Sequence, residues 1–151
     1  MNNLGIIIRL TNAKDPKLVL NIHHKKELLS GKVAFSTDLI FSINEVMGVE
    51  KIVFFFEGDR GKVYAMADVL DFKTKESKFL PIEWKEWIPE EYPEERNSWF
   101  LIKNMRIVEE NELKPYVYAR DNDLELLDIV KQNRFPRAYF KRKMEGIPSL
   151  F

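Results

Sequence analysis

Apolar positions fall along the chain in blocks of different period, and each block predicts an element. Residues 4–10 form a short apolar run with three consecutive isoleucines, Ile6, Ile7 and Ile8, which reads as a buried strand. Asp15-Pro16 follows, an N-cap with proline at the first helical position. Leu18, Val19, Ile22 and Leu29 then predict a helix with that stripe on the core, ended by Gly31. A shorter helix is expected over 39–47, capped by Thr37 or Asp38 and stopped by Gly48. Residues 51–57 and 62–70 are strand-like runs flanking Gly58-Asp59-Arg60-Gly61, the pattern of an antiparallel hairpin.

The stretch 72–97 keeps neither period. It holds Pro81, Pro89 and Pro93, seven glutamates, and Trp84, Trp87 and Tyr92, and reads as one long ordered loop. Its aromatics argue against disorder. Strands are expected over 99–105 and 115–119. Asp121 or Asn122 should cap a helix that turns Leu124, Leu127, Ile129 and Val130 to the core. Residues 134–143 alternate basic and aromatic side chains. Strands interspersed with helices around an antiparallel hairpin predict an α+β fold, a curved mixed β-sheet with helices packed outside it.

Composition narrows the function classes. The 151 residues are one domain's worth of chain, and 32% charged residues with no long apolar run exclude a membrane-spanning protein. The first ten residues lack a basic segment and a cleavage site, so no signal peptide is expected and the expected location is cytoplasmic. With no cysteine there are no disulfides, thiolate nucleophiles or cysteine–zinc sites. Two histidines, adjacent at His23 and His24, argue against a histidine-rich metal site, and no cofactor is expected. Net charge is zero, but it is segregated: 131–143 carries six basic residues and no acid, whereas 76–112 carries ten glutamates against five basic residues. A neutral chain cannot rely on bulk attraction to nucleic acid, so specific contacts must carry the affinity for a polyanion.

Four constellations bear on chemistry. Gly58-Asp59-Arg60-Gly61-Lys62 lacks the spacing and the following helix of a phosphate loop, and reads as a hairpin turn. Asp71 with Glu83 and Lys85 has the composition of a metal-dependent nuclease triad, an alternative that needs those side chains on rigid neighbouring positions. His23 and His24 sit in the first helix beside Ile22 on its apolar stripe, so at least one of them should face solvent, and a solvated helix face explains them better than a proton relay. Trp84, Trp87 and Tyr92 are the group that core packing explains least. Loop aromatics can form a slot for a planar ligand, and a nucleobase stacked in one gains about 1–3 kcal/mol.

The order of residues resembles that of the YTH domain, a relative of PUA-like and EVE modules that bind N6-methyladenine. The hairpin residues Ile52-Val-Phe-Phe-Phe-Glu57 and Gly61-Lys-Val-Tyr-Ala-Met-Ala-Asp-Val69 are similar to that family's central hairpin. Pro81-Ile-Glu-Trp84 resembles the segment with a cage tryptophan, and Trp99-Phe-Leu-Ile102 the strand after it. Lys114-Pro-Tyr-Val-Tyr-Ala-Arg-Asp121 resembles a Lys-Pro…Arg-Asp segment.

The resemblance implies a PUA/EVE/YTH-like open barrel over 1–145, with 146–151 as the start of a linker. It implies base-binding by Phe35 and Ser36, where the family has Trp before Ser-Thr, by Trp84 with Trp87 as competitor, and by Tyr92 as a third wall. Thr11 and Asn12 fall where the base edge is touched, with Arg9 beside them as a backbone contact. Asp121 is placed with the base-binding residues and is expected to order its own loop. Phosphate contacts fall to Arg9, Arg120, Arg137, Lys141, Arg142 and Lys143. The implied function is a non-catalytic, prokaryotic reader of N6-methyladenine. Methylated DNA would be its partner, the base flipped into the cage, within an McrB-type restriction system with an AAA+ motor and a nuclease subunit. Methylated RNA is the alternative partner.

Overall fold

The computed structural model describes residues 3–10, 15–132 and 136–143. In chain order the elements are β1 (Gly5–Arg9), α1 (Pro16–Ser30), β2 (Val33–Thr37), α2 (Ile43–Val46), β3 (Lys51–Gly58) and β4 (Gly61–Phe79). A 3-10 helix (Ile82–Trp87) leads to β5 (Arg96–Val108), α3 (Glu110–Leu113), β6 (Tyr116–Tyr118), β7 (Asp121–Glu125), α4 (Leu126–Gln132) and β8 (Arg137–Arg142). The strands form one eight-stranded mixed sheet in the order β2-β5-β4-β3-β1-β8-β6-β7. Only β1 and β3 run parallel; the other pairs are antiparallel. The expected α+β class with a mixed sheet and outer helices is therefore present. The sheet is not closed into a barrel, and β2 and β7 are its two edges. Among the described residues no helix is long and apolar enough to cross a membrane.

Alternation sorts the core into two faces. Ile6, Ile8, Phe35, Ile52, Phe54 and Phe100 lie on the first, covered by Leu20 of α1 and by Phe41, Val46 and Val49 around α2. Ile7, Val53, Phe55 and Phe140 lie on the second, under Leu113 of α3 and Leu126, Leu127, Ile129 and Val130 of α4. At the β2–β5 end this second face is closed differently: Trp84, on the 3-10 helix, packs over Ala34, Trp99 and Leu101. Phe54, Phe100 and Phe140 are fully buried, and each such side chain stabilises the fold by about 1.5–3 kcal/mol. Gly5 makes one of these placements possible, since a Cβ there would stand 2.2 Å from the Phe140 ring.

The hairpin forms as its turn predicts, with Gly58 opposite Gly61. The helix boundaries of α1 also follow their signals. The Asp15 carboxylate accepts the Leu18 N–H at 3.1 Å, and Gly31, at φ 82°, donates to the Glu27 carbonyl. Its orientation does not follow the expected stripe. Leu20 and His23 are the buried residues, while Leu18, Leu28 and Leu29 are exposed. Apolar residues at 18, 19, 20, 22, 28 and 29 surround the helix, so they define no single direction. His24 is exposed, so one histidine faces solvent as expected, while His23 faces the core.

Three other expectations are corrected. The stretch 72–97 is not one loop, because β4 continues to Phe79 and the 3-10 helix follows. Register shifts between Met66 and Asp68, Val69 and Asp71, and Thr74 and Phe79 reset the alternation, which hides the strand from a period-2 reading. Its polar end is held from β5: Asn97 donates to the Lys75 and Glu76 carbonyls, and the Trp99 indole N–H donates to the Phe79 carbonyl at 2.9 Å. The helix after Asp121 starts only at Leu126, since 121–125 pairs with β6 as the edge strand β7. The expected helix over 39–47 shrinks to α2, and Gly48 follows it at φ 87°.

Candidate functional site

A pocket of about 680 Å³ opens where the C-terminal ends of β1 and β2 meet the first half of α1. Ile8, Arg9 and Leu10 come from β1 and its end, Asp15, Leu18, Val19 and His23 from α1, and residues 35–39 from β2 and its exit. Glu91, Tyr92, Glu94 and Arg96 reach it from the segment before β5, and Pro136 from the start of β8. The exit of β2 is fixed by hydrogen bonds. The Thr37 hydroxyl accepts the Leu39 N–H at 3.2 Å, and the buried Ser98 hydroxyl donates to the Leu39 carbonyl at 2.6 Å. Asp38 is bridged by Arg96 at 3.0 Å and Lys78 at 3.5 Å.

One wall is aromatic. Tyr92 stacks on His23 with centroids 5.3 Å apart and 21° between planes. Phe35 is tilted against His23 at 5.5 Å, and itself meets Phe54 edge-on at 4.6 Å. His23 is 3% exposed and its Nδ1 lies 2.7 Å from the Val19 carbonyl. Burial holds the imidazole below its ordinary pKa, against the opposing pulls of the Val19 carbonyl and the Glu91 carboxylate. Burial likewise raises the Tyr92 phenol, assisted by Glu91, Asp15 and Glu94, so it stays protonated. The wall is therefore neutral, and the charges stand around it.

Of the base-binding candidates, Phe35, Ser36 and Tyr92 come together here with Arg9. Trp84 does not. It packs with Ala34, the neighbour of Phe35 in β2, and consecutive residues of a strand point to opposite faces. Trp84 is 5% exposed, with the Lys73 ammonium 5.0 Å from its ring centre, and belongs to the core. Trp87 packs against the same cluster under Lys32, whose ammonium is 4.1 Å from the ring centre. Asp121 is exposed and accepts the Asp123 N–H at 2.9 Å, so it orders its own turn, away from the pocket lining. Thr11 and Asn12 lie outside the described residues.

The basic candidates separate into two groups. Arg9 and Arg137 meet at the pocket end of β1 and β8, where the Arg9 N–H donates to the Pro136 carbonyl. Arg137 donates to the Ile40 carbonyl and lies 4.6 Å over the Phe41 ring. Arg120 is exposed and stands 3.6 Å from Glu45. Lys141, Arg142 and Lys143 are at the other end of β8, about 16 Å along the strand from Arg137, with Arg142 near Tyr116 and Lys143 bonded to the Pro115 carbonyl.

The three residues of the nuclease alternative lie on β4 and the 3-10 helix. Asp71 is exposed and accepts the following Phe72 N–H, Glu83 is ion-paired with Lys73, and Lys85 is exposed on the 3-10 helix. Among the described residues no group of three or more His, Asp or Glu side chains is placed to hold a metal ion.

His23 and Arg96 are the site residues that the sequence reading missed. A polar residue three positions after Leu20, with Glu27 a further turn on, was the available signal. Both face inward, the Glu27 carboxylate accepting the Met105 N–H at 2.7 Å. Comparison with protein-family models, curated proteins and solved structures finds no match to this chain.

Proposed function

We propose that this chain is a non-catalytic reader of N6-methyladenine, with methylated DNA as its first partner, and that the flipped base enters the pocket beside Phe35, His23 and Tyr92. The observation that carries the reading is this neutral aromatic wall in a pocket whose remaining lining mixes apolar and charged residues. Stacking of a base on such a wall is worth about 1–3 kcal/mol, and burial of one methyl adds about 0.8 kcal/mol. Together these offset the few kcal/mol needed to extrude a base from a duplex. Asp15, Glu91 and Glu94 at the pocket repel phosphate, which favours entry of the base alone. Arg9 in the pocket lining, Arg137 at the neighbouring start of β8 and exposed Arg120 are suited to the flanking phosphates.

On this reading the open mixed sheet is a PUA/EVE/YTH-like half-barrel whose cage keeps Phe35 and Tyr92 of the residues the resemblance implies. His23 takes the place assigned to Trp84. The setting in a prokaryotic modification-dependent restriction system, with an AAA+ motor and a nuclease subunit, rests on the resemblance and not on this pocket. A filter-binding panel of methylated and plain DNA and RNA oligonucleotides tests the reading. Tightest binding to methylated DNA is expected. Tighter binding to methylated RNA would move the reading to RNA, and equal binding of methylated and plain strands would overturn it.

A further inference from the structure

The inward face of α1 carries a polar ring where a leucine would ordinarily pack. His23 is buried among Tyr92, Phe35 and Val19, yet one edge of the ring opens on the pocket. The Val19 carbonyl can only accept, so Nδ1, 2.7 Å away, must carry the ring's proton. Burial keeps the imidazole neutral, which leaves Nε2 as an acceptor with no proton of its own. Among the described residues Nε2 has no hydrogen-bond partner, and it is not sealed from the pocket space. Open to the pocket, this acceptor is hydrated; a ligand N–H replaces the water, whereas a ligand without one covers the acceptor and leaves it unpaired at a cost in free energy.

We propose that His23 is the specificity-determining residue of the pocket, its Nε2 a fixed acceptor that requires an N–H on the bound base. The inference rests on the base-reading function proposed above and adds a substrate limit to it. An N6-methylated adenine keeps one N–H for Nε2 and sets its methyl group against the aromatic wall. An N6,N6-dimethylated adenine has the same ring and more apolar surface, but no N–H. Hydrophobicity alone ranks the dimethyl base first; an obligatory acceptor ranks it last. Sites built around a hydrogen bond reject analogues that lack it far more strongly than apolar pockets reject a missing methyl.

The test uses single-stranded DNA oligonucleotides bearing one adenine, N6-methyladenine or N6,N6-dimethyladenine. The whole chain is expected to bind the monomethyl strand about 10- to 100-fold more tightly than the dimethyl strand. His23→Phe keeps the stack and removes the acceptor, so it should bring those two strands to within about threefold. Nitrogen-detected NMR of the wild-type imidazole provides a check that does not depend on the variant folding. The Nδ1–H tautomer is expected, with the Nε2 resonance moving on addition of the monomethyl strand but not the dimethyl strand. Equal binding of mono- and dimethyl strands, both above plain DNA, would overturn the role of His23 and leave the base reader standing. So would an Nε2–H tautomer. No preference among the three strands would overturn both.

Discussion

The two faces of β2 make an instructive pair. On one, Ala34 lies under Trp84, beside Trp99 and Leu101; on the other, Phe35 meets His23 and Phe54. Both carry large rings, and a count of aromatics would favour the tryptophan side as the ligand slot. The difference lies in what closes each cluster. The tryptophan side is capped by its own 3-10 helix, and the Trp99 indole N–H is satisfied by the Phe79 carbonyl. The Phe35 side is left open between α1 and the segment before β5, with a polar ring nitrogen and several charges at the opening. A ring that is closed over and hydrogen-bonded is core; a ring group with unfilled space and a waiting acceptor can take a ligand.

The largest expected effect separates these roles. Trp84→Ala should lower unfolding free energy by about 3–5 kcal/mol in denaturant titration, while the protein that remains folded still prefers methylated adenine. A loss of methyl preference with unchanged stability would place Trp84 in the binding site and break the comparison. Next in size is Tyr92→Ala. Tyr92 is half-buried, so stability should change by no more than about 1 kcal/mol. Affinity for the methylated strand should fall about 5- to 150-fold through the lost stack. A variant that melts far below wild type yet binds normally would make Tyr92 structural.

Acid should affect the His23 side selectively. The unfolded imidazole takes up its proton near pH 6.5, whereas burial lowers the folded value, so protons favour the unfolded state. The contribution is fully present above pH 6.5 and is lost progressively as pH falls below it. Thermal melts from pH 7.5 to 5 should therefore decline less steeply in His23→Phe than in wild type. Parallel pH profiles would mean that the ring is protonated or solvated in the folded protein. The smallest effect belongs to the cations over the tryptophans. Lys32→Met should cost no more than about 1 kcal/mol and leave oligonucleotide binding intact, since a partly exposed cation–π contact contributes about 0.5–1 kcal/mol. A larger loss, or weaker binding, would extend the functional surface onto the tryptophan side.

How far each part was legible follows from how local its cause is. The caps at Asp15, Pro16 and Gly31 act within one helical turn, and the β3–β4 turn within four residues, so those boundaries could be read directly. The far half of β4 could not, because its bulges break the alternation and its partners Asn97 and Trp99 belong to β5. Phe35, Ser36, Tyr92 and Arg9 were reachable as candidates through residue type and order. Residue type and order place Trp84 in the same group, because sequence carries no record of which face of β2 a 3-10 helix will cover.

The α+β class, the central hairpin and the capped first helix follow from residues a few positions apart, and the lack of cysteine chemistry follows from composition alone. Packing between distant segments selects which aromatics are closed over and which also border a pocket. Such a choice depends on strand parity at Ala34 and Phe35, on the rotation of α1 that buries His23, and on a stack between His23 and Tyr92 that only folding brings together. Contacts between distant segments depend on how whole faces cover one another, and no local period encodes that.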